Sequence, residues 1–133
     1  MIRHETPFAA GKLIVVKATI AGPRGTSDAR MLVDTGALMT TISPDILDLV
    51  GYSPRDAIRR TRVHSAVGEE QGYQLQLGAF DALGFTVSDL LVNVFDLGHD
   101  DITDGLLGMN FLNEFNYEIR SAEGRILVEK IAL

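Results

Sequence analysis

Apolar and polar positions along the 133-residue chain recur mainly in short runs with strand character, separated by glycine-marked turns. The run 12–20, KLIVVKATI, is rich in β-branched residues and stops at Ala21-Gly22-Pro23-Arg24-Gly25, a strong turn signal. A second strand is expected over 29–33 and a third over 38–42. Ser43-Pro44-Asp45 then has the chemistry of a helix start: serine as N-cap, proline at the first helical position, and an acid at the positive end of the dipole. Ile46, Leu47, Leu49 and Val50 supply the apolar side of that short helix, and Gly51 is its stop.

Further along, 59–63 and 73–77 flank the polar, glycine-containing segment 65–70 and predict a long β-hairpin. A strand region follows over 85–95, then an acidic loop over 96–104. Gly105-Leu106-Leu107-Gly108 leads into a second short helix from about 109 to 113. Residues 117–119 and 125–130 predict a terminal hairpin around Ala122-Glu123-Gly124. The two halves echo each other faintly. Each has an apolar strand, a glycine-marked turn and a short helix, over 32–50 and again over 91–115. The pattern predicts a mostly β chain with one or two short helices.

Composition narrows the picture. The length suits one domain over 1–133, with a core over about 12–130. A net charge of −6 repels phosphates and gives nucleic-acid binding no electrostatic support. With no cysteine, disulfides, thiolate-zinc sites and thiol catalysis are excluded. The first eleven residues lack the apolar stretch of a signal peptide, and no run approaches a membrane span, so a cytoplasmic protein without membrane contact is expected.

The chemistry concentrates at Asp34-Thr35-Gly36-Ala37, which directly follows the apolar strand Met31-Leu32-Val33. An aspartate there is either a turn former or half of a two-carboxylate machine. The chain has a single Asp-Thr-Gly, so such a machine needs a second copy from another molecule. Other candidate chemistry is weak. His99, Asp100, Asp101 and Asp104 do not follow a calcium-loop pattern, because Ile102 and Phe111 stand where ligands would be. The three histidines lack zinc spacing, so neither metal nor cofactor is expected. His64 has no serine or cysteine nucleophile pattern beside it. Met31, Met39 and Met109 are expected to fill core space near the two turns.

Leu32-Val33-Asp34-Thr35-Gly36-Ala37, the hairpin over 62–73, and Gly105-Leu106-Leu107-Gly108-Met109-Asn110-Phe111-Leu112, in that order and spacing, resemble the retropepsin-like single-domain aspartic proteases, including bacterial members. The resemblance implies a six- or seven-stranded barrel-like protomer with a flap over a central cleft. It also implies an endopeptidase active as a homodimer on a peptide or protein substrate, with Asp34 as the catalytic residue. In that reading Thr35, Gly36 and Ala37 shape the active-site turn. Gly105, Leu106, Leu107 and Gly108 form a matching turn beneath it, and Ala66, Val67 and Gly68 form the flap tip. Glu69 and Glu70 depart from the glycine-rich flaps of many relatives and bear on specificity. Sensitivity to statine-type inhibitors is expected. The alternatives are a non-catalytic dimeric or peptide-binding domain of the same fold, and a phosphoryl-transfer enzyme. No Gly-x-x-x-x-Gly-Lys loop supports the latter.

Overall fold

Strand alternation is realised most clearly in β2 (Val15–Gly22), where Val16, Ala18 and Ile20 point inward and are buried. A tight turn returns the chain as β3 (Gly25–Val33), which buries Ala29 and Met31 on the same face. The computed structural model describes residues 1–65, 68–97 and 103–131. The remaining strands are β1 (Ile2–Pro7), β4 (Thr41–Ile42), β5 (Arg59–Ser65), β6 (Gly68–Ala82), β7 (Phe85–Val94), β8 (Gly105–Leu107), β9 (Asn116–Arg120) and β10 (Arg125–Lys130). Two short helices, α1 (Pro44–Leu49) and α2 (Met109–Leu112), and one 3-10 turn at Pro54–Asp56 complete the elements.

The main sheet runs β2-β3-β8-β4-β7-β6-β5, and β2 also pairs with β6, which closes a six-stranded barrel with β5 outside the ring. Closure removes the edges that an open sheet of this size would expose. A separate three-stranded sheet, β1-β10-β9, packs its apolar face, with Ile126 and Val128 buried, against the rest of the core. Aromatic rings join the layers: Phe111 meets Phe80 edge-on at 5.4 Å between centroids, and Phe115 lies between Phe111 and Phe85.

β6 and β7 change their buried face partway along. Leu75 and Leu77 are buried on one parity, Phe80 and Ala82 on the other; opposite them the buried set changes from Leu90 and Val92 to Phe85. Asp89, at φ 56°, lies at this corner, so a single hairpin serves two layers.

Most predicted elements are present, with three differences. The expected strand over 38–42 contracts to Thr41–Ile42, because the preceding residues spend their backbone groups on α2. Gly105–Leu107 is a strand inserted between β3 and β4, instead of a turn. β1 was not predicted at all. The 3-10 turn after α1 carries a capping box, with Ser53 Oγ accepting from Arg55 N and Asp56 Oδ2 accepting from Ser53 N at 2.8 Å. Among the described residues no helix is long and apolar enough to cross a membrane.

Candidate active site

The two halves insert into each other crosswise. β8, from the second half, lies parallel to β3 with Met31, Leu32 and Val33 opposite Gly105, Leu106 and Leu107. β4, from the first half, lies parallel to β7, and β4 and β8 pair antiparallel in the middle. Asp34 sits where β3 leaves this arrangement. Val33 N donates to Ile14 O at 2.8 Å, and the next amide, Asp34 N, donates to Leu107 O at 3.0 Å. The backbone of Asp34 is therefore gripped by the second half of the chain.

The turn itself is closed by Ala37 N donating to Asp34 O at 3.2 Å. Gly36 N donates to the carboxylate oxygen Oδ1 of Asp34 at 2.9 Å, the turn that short acidic side chains make with the backbone two residues on. This fixes the carboxylate's orientation. Among the described residues, Oδ2 and the Thr35 hydroxyl have no hydrogen-bond partner. Asp34 is half-buried, whereas Thr35 and Gly36 are exposed. A Cβ added at Gly36 would lie 3.2 Å from Oδ1, so the missing side chain leaves room beside the acid.

The far arm of the turn is tied to α2. Met109 N donates to Ala37 O at 2.8 Å and Asn110 N to Leu38 O at 3.0 Å. Gly108 packs against this arm so tightly that a Cβ would meet Met39 C at 2.6 Å and Thr40 N at 2.8 Å. Gly105 is equally crowded, by Thr41 O and the Met31 side chain. Of the three methionines near the turns, Met31 is fully buried, and Met39 and Met109 are half-buried.

A buried polar network, which sequence reasoning missed, completes the support. Asn110 Oδ1 accepts from both Thr40 N, at 2.7 Å, and Thr40 Oγ1, at 2.8 Å. Asn110 Nδ2 donates to Leu91 O at 2.6 Å, and Thr40 Oγ1 accepts from Gly108 N at 3.1 Å. Asn93 N donates to Thr40 O. Thr40 is fully buried, and among the described residues no buried side-chain nitrogen or oxygen lacks a partner. A complete network in a low-dielectric interior holds one geometry, because any shift orphans a polar group. Polar residues at 40 and 110 inside otherwise apolar runs were the available signal.

The candidate flap maps onto the hairpin β5–β6, whose register runs from Arg59 opposite Gln74 to Ser65 opposite Gly68. Gly68 has φ +128°, open to glycine and strained for other residues. Ala66 and Val67 lie outside the described residues, as do His99, Asp100 and Asp101 of the acidic loop. Asp104, at the loop's end, accepts from Arg30 N through Oδ2 at 2.8 Å, while its own amide donates to Arg30 O at 2.7 Å.

Residues 16–114, most of the chain, match the family described as "gag-polyprotein putative aspartyl protease". The chain belongs to this family of retropepsin-like aspartyl proteases. Its fold is similar to that in the crystal structure of a retropepsin-like aspartic protease from Rickettsia conorii, with a TM-score of 0.71 over 96% of this chain and 98% of that one. Identity between the two is 19%, so the likeness is one of fold. No curated protein matches the sequence.

Proposed function

We propose that the protein is an aspartic endopeptidase whose active site forms between two copies of the chain, each contributing Asp34. One observation carries the reading. The protomer holds a single carboxylate on a rigidly braced, outward-facing turn, with one oxygen fixed by Gly36 N and the other unpartnered among the described residues. The corresponding segment of the second half, at Gly105–Gly108, has no acid.

The chemistry follows from the pairing. Two carboxylates about 3 Å apart cannot both ionise easily and share one proton, a behaviour for which the aspartic-protease pair is itself the reference case. The ionised member draws a proton from a water placed between them, and that water attacks the scissile carbonyl. The protonated member delivers its proton as the peptide bond breaks to leave a free amine. The two titrations belong to the pair and to neither residue alone. Thr35 bonds across the two-fold axis in this assembly, where its hydroxyl finds the partner it lacks among the described residues of the protomer. Gly36 and Ala37 let the substrate backbone approach, and the β5–β6 hairpin, with Ala66, Val67 and Gly68 at its tip, closes over an extended peptide.

The test is cleavage of a broad peptide library by wild type and Asp34→Asn, with sedimentation of both. Cleavage by a dimeric wild type, lost in a dimeric variant and falling as pH rises past the upper titration of the pair, is the expected result. Equal absence of cleavage from acid to neutral pH overturns the enzyme reading and leaves a peptide-binding domain of the same fold.

A further inference from the structure

A second polar constellation lies on the stem of the β5–β6 hairpin. Arg60 faces Tyr73 across the β5–β6 pair, and Arg62 faces Gln71. Directly opposed residues share a face, and so do residues two apart on one strand, so these four side chains form one group. They line a cavity of about 350 Å3 together with Thr61 and Gly72 of the same strands and with Pro54 and Ala57 of the capped 3-10 turn. All four carry hydrogen-bond donors.

The basic residues of the chain fall into two sets. Arg3, Arg30, Arg120, Arg125 and Lys17 each contact a carboxylate. Among the described residues Lys12, Arg24, Arg55, Arg59, Arg60 and Lys130 have no such contact, and three of them, Arg55, Arg59 and Arg60, fall within six positions of one another in a chain of net charge −6. Arg62 is held by Glu69 at 3.3 Å, with both side chains substantially exposed. Exposed pairs of this kind are weak, so a ligand carboxylate can displace Glu69 at little cost. Glu69 also shows the geometry in which an acid meets this face. The neighbouring Tyr73 phenol is raised above its ordinary value, first by burial and then by Asp56 and Asp48, and so remains a proton donor at neutral pH.

We infer that the Arg60–Arg62–Gln71–Tyr73 face of the hairpin stem is a binding site for carboxylate side chains of an acidic polypeptide segment. The inference rests on the reading of the chain as a peptide-binding protease and names the kind of substrate that it holds outside the cleavage site. The net charge of −6, with Asp56 and Asp48 close enough to act on Tyr73 itself, selects against larger polyanions. Screening confines attraction to about 8 Å at physiological salt, so a short acidic segment meets the arginines, whereas a nucleic acid extends onto repelling surface.

The experiment measures binding, by fluorescence anisotropy, of a labelled peptide containing four glutamates and of its glutamine counterpart. Asp34→Asn protein is used so that turnover does not intervene. The expected result is about tenfold tighter binding of the glutamate peptide at low salt. That preference falls to near unity in Arg60→Gln/Arg62→Gln, and persists in Arg24→Gln, which removes an arginine outside this face that has no carboxylate contact among the described residues. Equal binding of the two peptides overturns the inference, as does a preference that survives the double substitution in protein of unchanged melting temperature. Because no cleavage is read, loss of the protease assignment in the library experiment leaves this outcome separately decidable.

Discussion

The two halves of the chain solve one folding problem twice and put the answer to different uses. Each sends a short strand into the sheet of the other and follows it with a one- or two-turn helix: β4 beside β7 and then α1, β8 beside β3 and then α2. In the first half the bend between strands is exposed and carries Asp34. In the second, the matching strand begins and ends in glycines, Gly105 and Gly108, with no room for a side chain. The difference teaches a division of labour. One half presents Asp34, and the other holds its turn in place through Leu107 O, Met109 N and Asn110. Packing demands glycine at both ends of the supporting strand, and the acid is presented from the other half alone.

The largest expected effect tests the presenting half alone. Asp34→Asn keeps an oxygen that accepts from Gly36 N, so stability should stay within about 0.5 kcal/mol of wild type by thermal melting. Peptide hydrolysis should fall by about 10³-fold or more, roughly 4 kcal/mol of barrier. A variant that loses activity only because it unfolds breaks the proposed separation of roles.

Gly108→Ala tests the supporting half. Its methyl group would press on the Met39 and Thr40 backbone, which cannot swing aside, and should cost about 3 kcal/mol in urea denaturation. An unaffected midpoint would mean that the close approach is not needed.

Asn110→Ala leaves groups of Thr40 and the Leu91 carbonyl without their partner, and about 2 kcal/mol of destabilisation is expected. Activity at a temperature where the variant is fully folded should also drop, because Leu38 and Ala37 are anchored through the same turn of α2. Loss of stability without loss of specific activity would show that Asn110 supports the fold but not the acid's position.

Asp104→Asn gives the smallest change. The amide oxygen still accepts from Arg30 N, and only the 3.8 Å ion pair to Arg30 Nε disappears. That pair is partly exposed, so about 0.5 kcal/mol, fading with added salt, is expected in chemical denaturation. A loss several times greater would place an electrostatic contribution where the geometry shows mainly a hydrogen bond.

What could be read from the chain beforehand follows the same physics. β2, β7 and β10 announce themselves because one face is buried and the apolar positions alternate. α1 was legible from Ser43-Pro44-Asp45, although Ser43 makes no side-chain cap bond. β1 was not, since Ile2–Pro7 is an edge strand with almost every residue exposed, and its order comes from pairing with β10. The placement of Gly105–Leu107 between β3 and β4 was equally hidden. Three residues have no period to detect, and their partners lie more than sixty positions away. At the site, the residues of the Asp34 turn were legible as a motif. The Thr40–Asn110 network was not, because a threonine and an asparagine at that separation carry no local signature until the halves meet.

The crosswise exchange of β4 and β8 has a consequence for biosynthesis. β3 has completed translation while the strand that must lie along it is still some seventy residues from being made. At roughly 5–20 residues per second the nascent chain waits several seconds with that strand edge open. Distant pairings of this sort also slow the search for the native state. During synthesis the acid-bearing bend is therefore unsupported, and it gains its final shape only when the segment that carries β8 and α2 emerges to lock it.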